Sequence, residues 1–181
     1  MSEELEKAYR KLLITSVGAY SSGFVSFAVG YILLQKRILI IPQTPPHPMS
    51  AFVLGIFAVL IVLIVTLSKN RLLLSAPALS DMKIEESQMK AFGLENADPK
   101  EAKAFGWFAR SSLVLLAIAE SPNIVAFLLV ASAARTDFCP VGEKSALYAC
   151  ILIVFAQLLK LTVFPTKQGF LQFYRNLTET G

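Results

Sequence analysis

Apolar residues in this chain come in long blocks separated by polar connections, not in the stripes of a surface helix or the alternation of a strand. Four blocks stand out: Leu12 to Leu34, Met49 to Leu67, Ser111 to Ala133 and Ala146 to Phe164. Each holds about 20 residues with almost no charge, and at a rise of 1.5 Å per residue such a helix crosses a hydrocarbon core about 30 Å thick. The pattern predicts an all-α integral membrane protein, a single domain over 1–181. Its architecture is a four-helix bundle of two transmembrane hairpins with a short cytosolic helical collar over 69–110. The lipid bilayer is then its first partner.

Between the blocks the polar pattern is also informative. The connection from Gln35 to Pro48 carries Pro42, Pro45, Pro46 and Pro48, which favours a stiff extended segment. In the collar, Ser80 caps a short helix over Asp81 to Phe92. Asp98 followed by Pro99 is a helix start signal, and one helix runs from there through Trp107 and Phe108, at the membrane interface, into the third span. The charged tail Met1 to Lys11 forms the first turns of helix one, read as a retained span and not a cleaved signal.

Composition agrees: 55% of residues are hydrophobic and 17% charged. Soluble domains average about a quarter charged. Charge placement gives an orientation. Lys7, Arg10 and Lys11, the seven basic residues between Lys69 and Arg110, and Lys167 and Arg175 fall on one side, with Lys160 able to snorkel there. Lys36, Arg37, Arg135 and Lys144 fall on the other, so both termini are expected in the cytoplasm. The net charge of +4 thus reflects topology, and no aromatic-interleaved basic patch points to nucleic acid. Cys139 and Cys150 read as free thiols, and His47 as a solvated loop residue. No metal-ligand spacing, nucleophile–base pair or cofactor motif is visible, so neither a metal, a cofactor nor an enzymatic activity is expected.

Chemistry concentrates at Glu120, an ionisable residue near the middle of the third apolar block. A carboxylate there costs about 2.5 kcal/mol or more, which makes it a functional-site candidate. Pro122 lacks an N–H and frees the carbonyl of Ile118. The Ser121 hydroxyl lies within the same turn, and Asn123 three residues on, close to the same face. Depth suggests further partners: Ser22 in span one and Gln157 in span four lie about 12–15 Å from the inner ends of their helices, the level of Glu120. Span two has no strongly polar residue before Thr66 and reads as a lipid-facing or packing helix. Span one also carries Gly18, Ser22, Ser26 and Gly30 at four-residue spacing, a stripe for close helix packing.

The stretch from Leu115 to Val130, with Glu120 following small apolar residues and preceding an aliphatic run, resembles the proteolipid (c-type) subunits of rotary ATP synthases and V-type ATPases. The resemblance implies that Glu120 is a carboxylate binding a proton or small cation, assisted by the Ser121 hydroxyl and the Ile118 carbonyl. Outside this stretch the chain departs from that family: span two has only Gly55, Val125 stands where a tyrosine is usual, and some 40 residues replace a short polar loop. Two other readings stay open. One is a non-transporting accessory or assembly subunit of a larger membrane complex, docking through Lys69 to Arg110. The other is a small channel or transporter formed by a homo-oligomer.

Overall fold

A computed structural model describes residues 2–35, 48–79, 81–83, 86–133 and 143–179. Among them the chain is all-helical, without a strand. Helix α1 covers Glu3–Gln35, α2 Pro48–Lys69, α3 Glu86–Phe92, α4 Pro99–Ala133, α5 Glu143–Val163 and α6 Lys167–Glu179, with one π-helical turn at Asn70–Leu74 after α2. Two stretches, Val53–Leu73 and Pro99–Leu128, are long and apolar enough to cross a membrane. A third span results only if Ile151–Val163 and Lys167–Glu179, bent by 46°, are taken together. The expected connections with His47 and Cys139, the Ser80 cap, and the side chains of Ser26, Gly30 and Cys150 lie outside the described residues.

Local signals explain the helix ends. Asp98 Oδ1 accepts hydrogen bonds from the backbone N–H of Lys100 at 2.8 Å and of Glu101 at 3.3 Å, with Pro99 in the first turn as expected. Helix α3, Glu86–Phe92, falls within the expected stretch, of which Asp81, Met82 and Lys83 are not helical, and it stops at Gly93. There φ is +71°, and the N–H of Leu94 bonds the Met89 carbonyl at 2.9 Å while that of Gly93 bonds Lys90 at 3.1 Å. This closing motif needs a residue tolerant of the left-handed region. The sequence reading named no helix after Phe164. Helix α6 begins there because the Thr166 hydroxyl accepts the Gly169 N–H at 3.0 Å.

The chain divides into two compact units. The first comprises Met1–Ala19, Thr66–Leu116 and Val163–Gly181. Its core joins Leu5, Ala8 and Leu12 of α1 to Phe105, Phe108 and Ala109 of α4, Phe170 and Phe173 of α6, and Met82 and Leu94. Three- and four-residue spacing on each helix turns one stripe inward. Phe105 is fully buried and meets Phe92 and Phe170 edge to face, at 5.6 and 5.4 Å between ring centroids. The expected collar is therefore a packed unit that recruits both ends of the chain. Phe108 lies in its core, and the Trp107 indole N–H donates to the Leu72 carbonyl at 2.7 Å.

Two contacts tie the start of α1 to the start of α6. Lys167 and Glu6 form an ion pair at 2.7 Å, which holds the Glu6 carboxyl below its ordinary value. The Tyr9 hydroxyl donates to the Pro165 carbonyl at 3.1 Å, and burial raises its ionisation above the ordinary tyrosine value. Because that value is raised on folding, the contribution of Tyr9 is complete below the unfolded-state value and is lost as pH rises through the folded one. Alkaline titration of the phenolate absorbance should show a late component that disappears in Tyr9→Phe. If the variant titrates as wild type does, the hydroxyl is not buried as described.

The second unit comprises Tyr20–Val65 and Ala117–Thr162. Ala126, Ala149 and Leu152 form its small apolar cluster, with Leu54, Phe57, Val125 and Ile153 packed on it. Its polarity is reversed relative to a soluble domain. Val59, Ile124, Leu128, Val154 and Leu158 are more than half exposed, whereas Asn123, Gln157 and Lys160 are buried. Such an apolar exterior around a polar interior suits a hydrocarbon solvent. Within this unit α2 exposes aliphatic side chains around most of its circumference, as expected for a lipid-facing helix.

Candidate functional site

Three helices of the second unit bring Ser22, Glu120 and Lys160 together. Ser22 on α1 donates its hydroxyl to Glu120 Oε1 on α4 at 2.9 Å. The other carboxylate oxygen, Oε2, is ion-paired with Lys160 Nζ on α5. The lysine ammonium also donates to Ser22 Oγ at 3.4 Å, which closes a three-membered polar ring. The Lys160 side chain is 1% exposed and that of Glu120 24%. An ion pair removed from water this far holds its geometry because parting the charges strands one of them in a medium of low dielectric.

Lys160 is the residue that the sequence reading misplaced. It was expected to snorkel toward the inner side, yet its ammonium lies fully inside the unit. The reason is helix register. Glu120 stands about ten residues into the third apolar block and Lys160 only a few from the end of the fourth, so the two did not match in depth. In the structure Glu120 meets Lys160 while Ala126 clusters with Ala149 and Leu152. Advancing along α4 therefore means retreating along α5, and the four-carbon lysine stem spans what offset remains. The usable signal was an opposite charge on an adjacent, otherwise apolar helix. Removing Lys160 from the inner-side tally leaves the basic asymmetry in place.

The other predicted site residues divide. Ser22 is a partner of Glu120, as its depth suggested. Ser121 and Ile118 are not: the Ser121 hydroxyl donates to the Ile118 carbonyl at 2.7 Å, so the group freed by Pro122 is satisfied within its own turn. That short local bond costs less ordering than a reach to the carboxylate. Asn123 and Gln157 also fail to reach Glu120. Both are buried, 2% and 8% exposed, and neither amide has a hydrogen-bond partner among the described residues. Gly18 of the small-residue stripe lies in the first unit and marks no close approach within this chain, since a Cβ there would meet nothing within 4 Å. Among the described residues no group of His, Cys, Asp and Glu could hold a metal ion.

In comparisons with protein-family models, curated proteins and solved structures, the chain matches no family, no curated protein and no known structure.

Proposed function

We propose that this chain is a multi-pass membrane subunit in which Glu120 and Lys160 form a proton-exchanging pair inside the bilayer. In this reading the spans are those of the four apolar blocks, and both termini lie in the cytoplasm. All the basic residues assigned to that side except Lys160 belong to the first unit. The observation that carries the proposal is the ion pair itself. A proteolipid-like carboxylate must find a counter-charge, and here the Lys160 ammonium occupies the place a bound metal cation would take. A second cation beside it would be repelled, whereas a proton is accepted at the carboxylate. Protonation discharges Glu120 and takes the counter-charge from the enclosed Lys160 ammonium, which gives the three helices a reason to rearrange. The Glu120 side chain is the more exposed of the two, 24% against 1% for Lys160, and in this reading it is the group that receives the proton.

A second reading, the non-transporting accessory subunit, is favoured by a different observation: protein groups engage both carboxylate oxygens, as in a permanent structural clasp. One experiment separates the two. An apolar carbodiimide attacks a protonated carboxyl group, so labelling of Glu120 in reconstituted protein can be followed from about pH 9 to about pH 5. Proton exchange predicts labelling of wild type that rises as pH falls and is unaffected by sodium. Lys160→Met should label more readily than wild type, because no ammonium then holds the carboxylate. No labelling of wild type at any pH, with strong labelling of Lys160→Met, would instead establish the clasp. Protection by sodium would overturn both in favour of a cation site.

A further inference from the structure

Two buried amides beside the ion pair remain unexplained by it. Asn123 Nδ2 and Oδ1 and Gln157 Nε2 and Oε1 are enclosed without a hydrogen-bond partner among the described residues. Each amide carries two N–H donors and an acceptor oxygen, and leaving such a group unpaired in the interior is strongly unfavourable. Their positions in the sequence place them together. Asn123 lies three residues beyond Glu120 on α4, and Gln157 three residues before Lys160 on α5. The two helices run antiparallel through the contacts of Glu120 with Lys160 and of Ala126 with Ala149 and Leu152. This register puts the two positions level with one another on neighbouring helices, each about one turn along its helix from the ion pair.

We infer that Asn123 and Gln157 jointly hold ordered water, forming an internal hydration site next to the Glu120–Lys160 pair. The ligand chemistry is that of a small neutral molecule that both donates and accepts. An anion would find two carbonyl oxygens, and a cation would meet the Lys160 ammonium one turn away. Water satisfies N–H donors and C=O acceptors alike, and a buried water usually has two to four polar partners, which the two amides supply. The site stands apart from the proton-exchange reading. Water there is equally compatible with a static clasp, so failure of one does not entail failure of the other.

The test uses the full chain in lipid nanodiscs with ¹⁵N-labelled asparagine and glutamine side chains. The Asn123 and Gln157 amide signals are assigned by their loss in Asn123→Leu and Gln157→Leu. Both signals should show magnetisation transfer from water while exchanging more slowly with deuterated solvent than the exposed Gln172. The Asn123 transfer should fall at least severalfold in Gln157→Leu. If that variant does not fold, Gln157→Met serves the same purpose, since the comparison within wild type already stands alone. Absence of water transfer at both amides, or an Asn123 transfer unchanged without Gln157, would overturn the inference. A direct amide–amide hydrogen bond with no water contact would do so too.

Discussion

Glu120→Leu is expected to destabilise the protein by about 3–5 kcal/mol, the range for breaking a buried ion pair from one side. Lys160→Met should cost less. The asymmetry follows from exposure: the Lys160 side chain is 1% exposed and that of Glu120 24%. Removing the carboxylate takes the counter-charge from an enclosed ammonium, and the Ser22 hydroxyl cannot replace a charge. Removing the ammonium leaves a side chain that is 24% exposed and keeps its bond from Ser22 at 2.9 Å. Thermal midpoints in detergent measure both losses. Equal losses would mean that the burial of the two groups is not as described.

The second large effect belongs to the first unit. Phe105→Ala removes a fully buried ring held edge to face by Phe92 and Phe170, and large-to-small changes of this kind cost about 3–5 kcal/mol. Loss of the aromatic pairs is part of that figure. The ring links α3, α4 and α6, so the expected consequence is local: the segment around α3 becomes sensitive to protease, while the apolar helices of the second unit stay inserted. Leu171→Ala, at an exposed position of α6, should change little, within about 0.5 kcal/mol. Limited proteolysis of membranes carrying each variant decides the matter. Protection of Phe105→Ala equal to wild type would show that the ring does not organise the unit.

How far the structure was legible in the sequence depended on whether the deciding signal was local. The Asp98–Pro99 start of α4 and its continuation as one helix were legible, because capping and apolar content act within a few residues. The core of the first unit was not. It joins α1, α4 and α6 across more than a hundred residues of chain, and the aromatic positions of α6 are too few to stand out from a polar tail. At the site, Glu120 and Ser22 were found by polarity and depth, both readable from one helix at a time. Lys160 was missed because its position near the end of a span favours snorkelling, and only the offset between α4 and α5 places it against the carboxylate. For Ser121 the structure shows a local bond to the Ile118 carbonyl, because a nearby carbonyl competes with a distant carboxylate for a short side chain and the nearer partner wins. Among the described residues, two helices are long and apolar enough to cross a membrane, with a third dependent on the bend between α5 and α6.

The central claim, that Glu120 and Lys160 act as one ionic unit, is tested most directly by a double-mutant cycle on thermal stability in lipid-containing detergent. Four proteins suffice: wild type, Glu120→Leu, Lys160→Met and the double variant. A paired site predicts that the double variant recovers most of what the worse single variant loses, since apolar replacement of both partners of a buried pair is often nearly neutral. Losses in the double variant equal to the sum of the two single losses would contradict the pair and the account built on it.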